Sequence, residues 1–199
     1  MSVIDVQALD VDIAVGGTSK YLLGSSGLAY LYVKAEHIES LVPSVSGWHA
    51  QAARDDMDIF HNVPAPDARR FQQGTPSMPS LYTGEAGLDT ILELGTREID
   101  DYVRELSGRC MDRLNEASIL VATPRADHSR GPMIAIPAID AAALVATLSE
   151  ANIVTSSRDG NVRVMFHAYN NDADIDRLIE VLEVNRNLLP AQIAAPSGI

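Results

Sequence analysis

The sequence has one cysteine, few aromatic residues and no long hydrophobic run. Cys110 alone excludes an internal disulfide and any all-cysteine metal site. No apolar stretch approaches the roughly 18 residues a membrane span needs, and the opening MSVIDVQALD lacks the basic flank and apolar core of an export signal. Positive charge is sparse too. Fifteen Lys and Arg stand against 27 Asp and Glu, a formal net charge of −12, which disfavours nucleic acid and anionic membrane as partners. The five histidines, His37, His49, His61, His128 and His167, are scattered with no HxH or HxxxH spacing, so no metal is expected. The composition, 46% hydrophobic and 21% charged, is that of an ordinary globular protein. Together with the lone cysteine it sets the expectation of a cytoplasmic one.

What is present divides the chain into three stretches. Val11, Ile13 and Val15 alternate with Asp12 and Ala14, a glycine-rich turn follows, and 28–33 reads as a nearly continuous apolar strand. From about 39 to 70 the prolines and glycines predict a long surface excursion. Apolar positions 88, 92, 99, 103, 106, 110 and 114 trace one helical face, which predicts a long helix kinked at Gly95. Beyond it, short strands are expected at 119–122 and 133–136, then a helix capped by Asp140. A strand pair in IVTSS and VRVMF is joined by a tight Asp159-Gly160 turn. A last amphipathic helix is capped by Asn170 or Asn171, and the tail past Pro190 is expected to be loose. The domain reading is 1–72, a linking helix in 73–117, and a small α/β unit in 118–199.

The stretch GGTSKYLLGSSGLAYLYV sets Lys20 between two glycine clusters. A phosphate-binding P-loop would need its lysine followed by Ser or Thr and a helix; here Tyr21 and a strand follow. Two readings of the residues remain open, an exposed turn lysine and an amine made reactive by apolar walls.

The segment VDIAVGGTSKYLLGSSGLAYLYV resembles the lysine segment of the class V aminotransferase family of pyridoxal-phosphate enzymes, which includes kynureninases, cysteine desulfurases and isopenicillin N epimerase-like proteins. RFQQGTPSMPSLYTGEAGLDTILELG is similar to that family's Gly-Thr-Pro segment, and NVRVMFHAYNNDADIDRLIEVL to its C-terminal signature. The resemblance implies an α/β chain, the C-terminal part of a fold type I transferase: a remnant of the large-domain sheet, a linking helix and a small α/β domain. It implies pyridoxal 5'-phosphate as cofactor, an amino acid as substrate and a homodimer. Lys20 would be the Schiff-base lysine and Arg163 the grip on the substrate carboxylate. Gly74 and Thr75 would reach the cofactor phosphate from the neighbouring subunit. Trp48 would lie near that phosphate, a loop-anchoring aromatic being the alternative. Thr18 would stand in weakly for the phosphate-binding serine that some members carry where this chain has Gly17.

Two departures bear on activity. Ser19 occupies the position where desulfurases usually have a histidine, and no cysteine lies between 152 and 163, so desulfurase chemistry is not expected. The family's upstream phosphate cradle, stacking aromatic and pyridinium-pairing aspartate have no counterpart here. The chain is therefore expected to represent the C-terminal half of such an enzyme. Transamination, carbon–carbon cleavage and epimerisation remain open, the alternative being an inactive fragment or interaction module. A ligand-binding domain unrelated to pyridoxal chemistry is a third possibility.

Overall fold

The computed structural model describes residues 3–191; most of the tail past Pro190 lies outside them. The chain forms two compact units, Ile4–Leu94 and Gly95 onward, the latter including Val3.

In the first unit, β1 (Ile13–Gly17) and β2 (Ala29–Val33) form an antiparallel hairpin running from Ile13 opposite Val33 to Gly17 opposite Ala29. The strand expected in 28–33 is present, with Tyr30 and Leu31 exposed, as are Ile13 and Val15 on β1. A two-stranded sheet has no second layer to cover such residues. A single helical turn, α1 (Ala35–Ile38), precedes a meandering segment with 3-10 turns at Trp48–Ala50, Arg54–Asp56 and Ala68–Phe71. One isolated bridge, Gln51 with Pro64, tightens it. Helix α2 (Met78–Leu94) closes the unit.

The long helix expected across Gly95 is two helices. Gly95 has φ +86°, which breaks the backbone between α2 and α3 (Thr96–Glu116). The predicted stripe also holds only for α3, where Ile99, Val103, Leu106, Cys110 and Leu114 are buried. In α2, Leu88 and Leu92 are exposed, and the buried face is Ser80, Gly84, Gly87 and Ile91.

In the second unit, β3 (Met133–Pro137), β4 (Ser156–Arg158) and β5 (Asn161–Met165) form an antiparallel sheet in the order β3-β5-β4. Residues 119–122, expected as a strand, are not one; Ala122 gives a single bond to the Ala135 carbonyl. The β4–β5 turn has Asp159 and Gly160 both at positive φ, the geometry its sequence predicts. Helix α4 (Ala141–Glu150) is capped by Asp140, and α5 (Asp172–Val184) by Asn171 in a capping box with Asp174. α3 and α4 pack against the sheet, whose Ile134, Ile136, Val162 and Val164 are all buried, and α5 packs against both helices.

Candidate active site

Lys20 lies in the loop joining β1 to β2. The ladder continues past β1 as the Thr18 amide donates to the Leu28 carbonyl at 3.2 Å, and the Gly24 amide donates back to Thr18 at 2.9 Å. Buried Thr18 donates its hydroxyl proton within the same loop, to the carbonyls of Leu28 at 3.2 Å or Ser25 at 3.4 Å. Lys20 begins a turn closed by the Leu23 amide at 3.0 Å. Its side chain is exposed and has no ion pair or hydrogen bond among the described residues. The dry, apolar-walled amine weighed from sequence is not what this chain forms around Lys20.

The small face of α2 secures this loop. Ser80 donates to the Ser26 carbonyl at 2.9 Å, and the Ser25 and Thr83 hydroxyls meet at 2.6 Å. Gly87 lies so close that an added Cβ would come within 2.4 Å of the Leu22 carbonyl, and one on Gly84 within 2.3 Å of the Leu28 side chain. Sequence reasoning overlooked this face because Leu88 and Leu92 dominate the hydropathy, although the 80, 84, 87 spacing of small residues was visible.

Gly74 and Thr75 are exposed, four and three residues before α2. Ser77 immediately precedes the helix, its carbonyl accepting from the Leu81 amide at 3.0 Å. The space where Gly74 would carry a side chain is open, leaving its backbone approachable. Trp48 sits in the adjoining 3-10 turn, 42% exposed, with its ring edge-on to His49 at 4.4 Å. A Cβ on Gly47 would overlap the Gln73 carbonyl at 1.7 Å, and the His49 amide donates to that carbonyl at 3.4 Å. Trp48 and Gly74 are thus on touching segments. Arg70, which the sequence did not flag, is buried and holds this meander: Nε donates to the Ala65 carbonyl at 2.8 Å, and the guanidinium also reaches the carbonyls of Ile38, Glu39 and Leu41.

The first unit thereby brings Thr18, Lys20, Gly74, Thr75 and Trp48 onto neighbouring segments linked through α2. Arg163 belongs to the second unit, on central strand β5. Its Nε is buried without a hydrogen-bond partner, and the side chain makes no ion pair among the described residues. A guanidinium left in this condition fits a carboxylate ligand, which would satisfy it.

A model of the family described as Aminotransferase class-V matches residues 2–178. The chain belongs to this family. Among class V relatives, it is 30% identical over 177 residues to an uncharacterized aminotransferase, YcbU, of Bacillus subtilis, covering 89% of this chain and 46% of the relative. It is 33% identical over 164 residues to a kynureninase of Deinococcus radiodurans, covering 80% and 40%. In fold it resembles the apo structure of a cysteine desulfurase from Thermococcus onnurineus, with TM-score 0.81 at 22% identity, over 92% of this chain and 49% of that one. The chain spans about half the length of the relatives it matches. Its α/β fold is that of the C-terminal part of a fold type I transferase.

Within this class V chain, other titratable groups are committed elsewhere. Lys34 lies 2.8 Å from Asp10 and 3.0 Å from Glu36, hydrogen bonds that raise its pKa and lower that of Asp10. Asp12, Glu36 and His37 have ligand atoms within 4.8 Å of one another, but Glu36 already pairs with Lys34 and Asp12 already contacts the His37 ring at 2.8 Å. Burial pushes the Cys110 thiol up to about 12, so it offers no thiolate near neutral pH. No helix among the described residues is long and apolar enough to cross a membrane.

Proposed function

We propose that the chain supplies the lysine-bearing, carboxylate-gripping part of a pyridoxal 5'-phosphate-dependent enzyme acting on an amino acid, with Lys20 as the amine that bonds the cofactor aldehyde. The contrast between Lys20 and Lys34 carries this reading. Two carboxylates clamp Lys34 in its charged form, whereas Lys20 has no carboxylate beside it among the described residues and stands open to an incoming aldehyde. The cofactor, when bound, supplies an electron sink for the carbanion at the substrate Cα. Lys20 moves the proton at that carbon. Arg163 holds the substrate α-carboxylate through parallel N–H bonds. Gly74 offers a backbone N–H, and Thr75 its hydroxyl, to the phosphate of the neighbouring subunit's cofactor in a homodimer, with Trp48 on the adjoining turn. The hydroxyl proton of Thr18 is already engaged by carbonyls, so this residue serves the site by holding the loop that presents Lys20. With Cys110 buried and protonated, desulfuration is not the chemistry supported.

The test is borohydride reduction after adding pyridoxal 5'-phosphate, followed by peptide mapping. A reduced adduct is expected on Lys20 in preference to Lys34, with Lys20→Ala abolishing it and Lys34→Ala leaving it. Labelling spread equally over both lysines, or absent from Lys20, rejects the assignment. The exposed hairpin, with Val15 73% and Ile13 53% accessible, favours a second reading, a non-catalytic module that pairs with another polypeptide. Self-association without any Lys20 adduct would support it.

A further inference from the structure

One face of the β3-β5-β4 sheet carries the helices; the other presents Ala135, Arg163 and Ser156 in one cross-strand row and Pro137, Asn161 and Arg158 in the next. Met133 and Met165 on this second face are 38% and 49% exposed. Most arginines of this acidic chain pair with carboxylates, such as Arg104 with Asp100 and Arg109 with Asp172, and Arg70 is held by carbonyls. Among the described residues only Arg97, Arg158 and Arg163 have neither kind of partner, and two of these three share this face. Asp159, next to Arg158 in sequence, forms no ion pair with it. The Ser156 hydroxyl, directly opposite Arg163, also has no hydrogen-bond partner among the described residues.

Arg158 and Arg163 stand on adjacent strands in diagonal positions, about 7–8 Å apart. Two unpaired guanidinium groups at that spacing repel each other, and a ligand with one anionic group at each end relieves both. Side chains of this length reach two anionic groups a few bonds apart.

We propose that this face is a two-point anion site: Arg163, assisted by the Ser156 hydroxyl, takes one carboxylate and Arg158 takes a second anionic group. The substrate class is then an amino acid whose side chain is itself acidic. The inference rests on Arg163 as the carboxylate grip and adds Arg158 as the specificity-determining residue. Lys20 is not needed for it.

The probes are L-glutamate against L-glutamine and L-aspartate against L-asparagine, pairs that differ in the second charge and little in shape. Each is titrated into the whole chain while the arginine Nε–H resonances are followed by NMR. In at least one pair the acid is expected to bind about tenfold tighter than its amide, the effect of one charge-assisted contact. Arg158→Gln should bring that ratio to about one while leaving amide binding unchanged, and Ser156→Ala should weaken acid and amide alike. Arg163→Gln should weaken all four ligands, with Arg163→Lys as the substitute if the glutamine variant does not fold. A ratio near one in the unaltered chain, or a preference that survives Arg158→Gln, overturns the two-point site. Amide binding that survives loss of Arg163 instead overturns the reading of Arg163, and no response to any ligand overturns both.

Discussion

The two units reach compactness by different means. The second buries Val103, Leu106, Leu114, Ile134, Ile136, Leu144, Leu148, Val162, Ile175 and Leu182, none more than 0% accessible, so apolar burial dominates its stability. The first buries Val33, Ala50, Ala65 and Ile91 among its hydrophobic residues, with Thr18, Arg70 and Ser80 beside them. There, backbone contacts, glycine faces and one guanidinium shared among carbonyls replace a core. Larger apolar groups are left outside, Ile59 at 86% and Phe60 at 85% accessible. An element held this way can position a loop such as that of Lys20 closely, but it contributes little apolar burial of its own.

The sharpest way to break this contrast is truncation of a core side chain. Leu106→Ala should cost about 2–5 kcal/mol, whereas Leu92→Ala, at 70% exposure, should stay within about 0.5 kcal/mol; denaturant midpoints measure both. Arg70→Ala comes next, with roughly 1.5–3 kcal/mol lost as the bonds from a charged donor disappear. Lysine should not rescue it, because one ammonium cannot span the four carbonyls. Hydrogen exchange should locate the loss in 38–41 and 65.

Gly87→Ala pushes a methyl against the Leu22 carbonyl and should cost about 1–3 kcal/mol, with faster exchange at the Leu23 and Gly24 amides. A rigid α2–loop contact that tolerates alanine there would refute the glycine-face description. The smallest effect is expected at Asp172, whose pKa is lowered by its hydrogen bond to Arg109 on α3. A depressed carboxylate stabilises the fold fully above its unfolded pKa of about 3.9 and loses that contribution as pH falls through the lower folded value. Asp172→Asn should therefore narrow the gap in thermal midpoint between pH 6 and pH 3 and leave the ranking of the two units unchanged.

Much of the second unit was legible because its signals are local. The Asp159-Gly160 turn, the Asp140 and Asn171 caps, and the α3 and α5 stripes each follow from a few adjacent residues. Residues 119–122 misled because an apolar run is the same in a strand and in a buried connector, and pairing decides which it is. In the first unit the misreading has one source. Leu88 and Leu92 carry the hydropathy of buried residues without being buried, since burial depends on what another layer offers and not on the side chain alone. The motif residues of the candidate site were visible as a family pattern. Arg70, Ser156 and Arg158 were not, because their significance lies in what they lack or share across segments.

Local order, the order of elements and the family are properties of the sequence itself, because turns, caps and helical stripes are short-range and the three motifs occur in fixed succession. Tertiary structure alone decided that α2 turns glycines and serine toward the lysine loop, that Lys20 stands exposed while Lys34 is clamped, and that Arg158 and Arg163 share a sheet face. Each of these depends on which distant segments come within a few ångströms, and no local pattern encodes that distance.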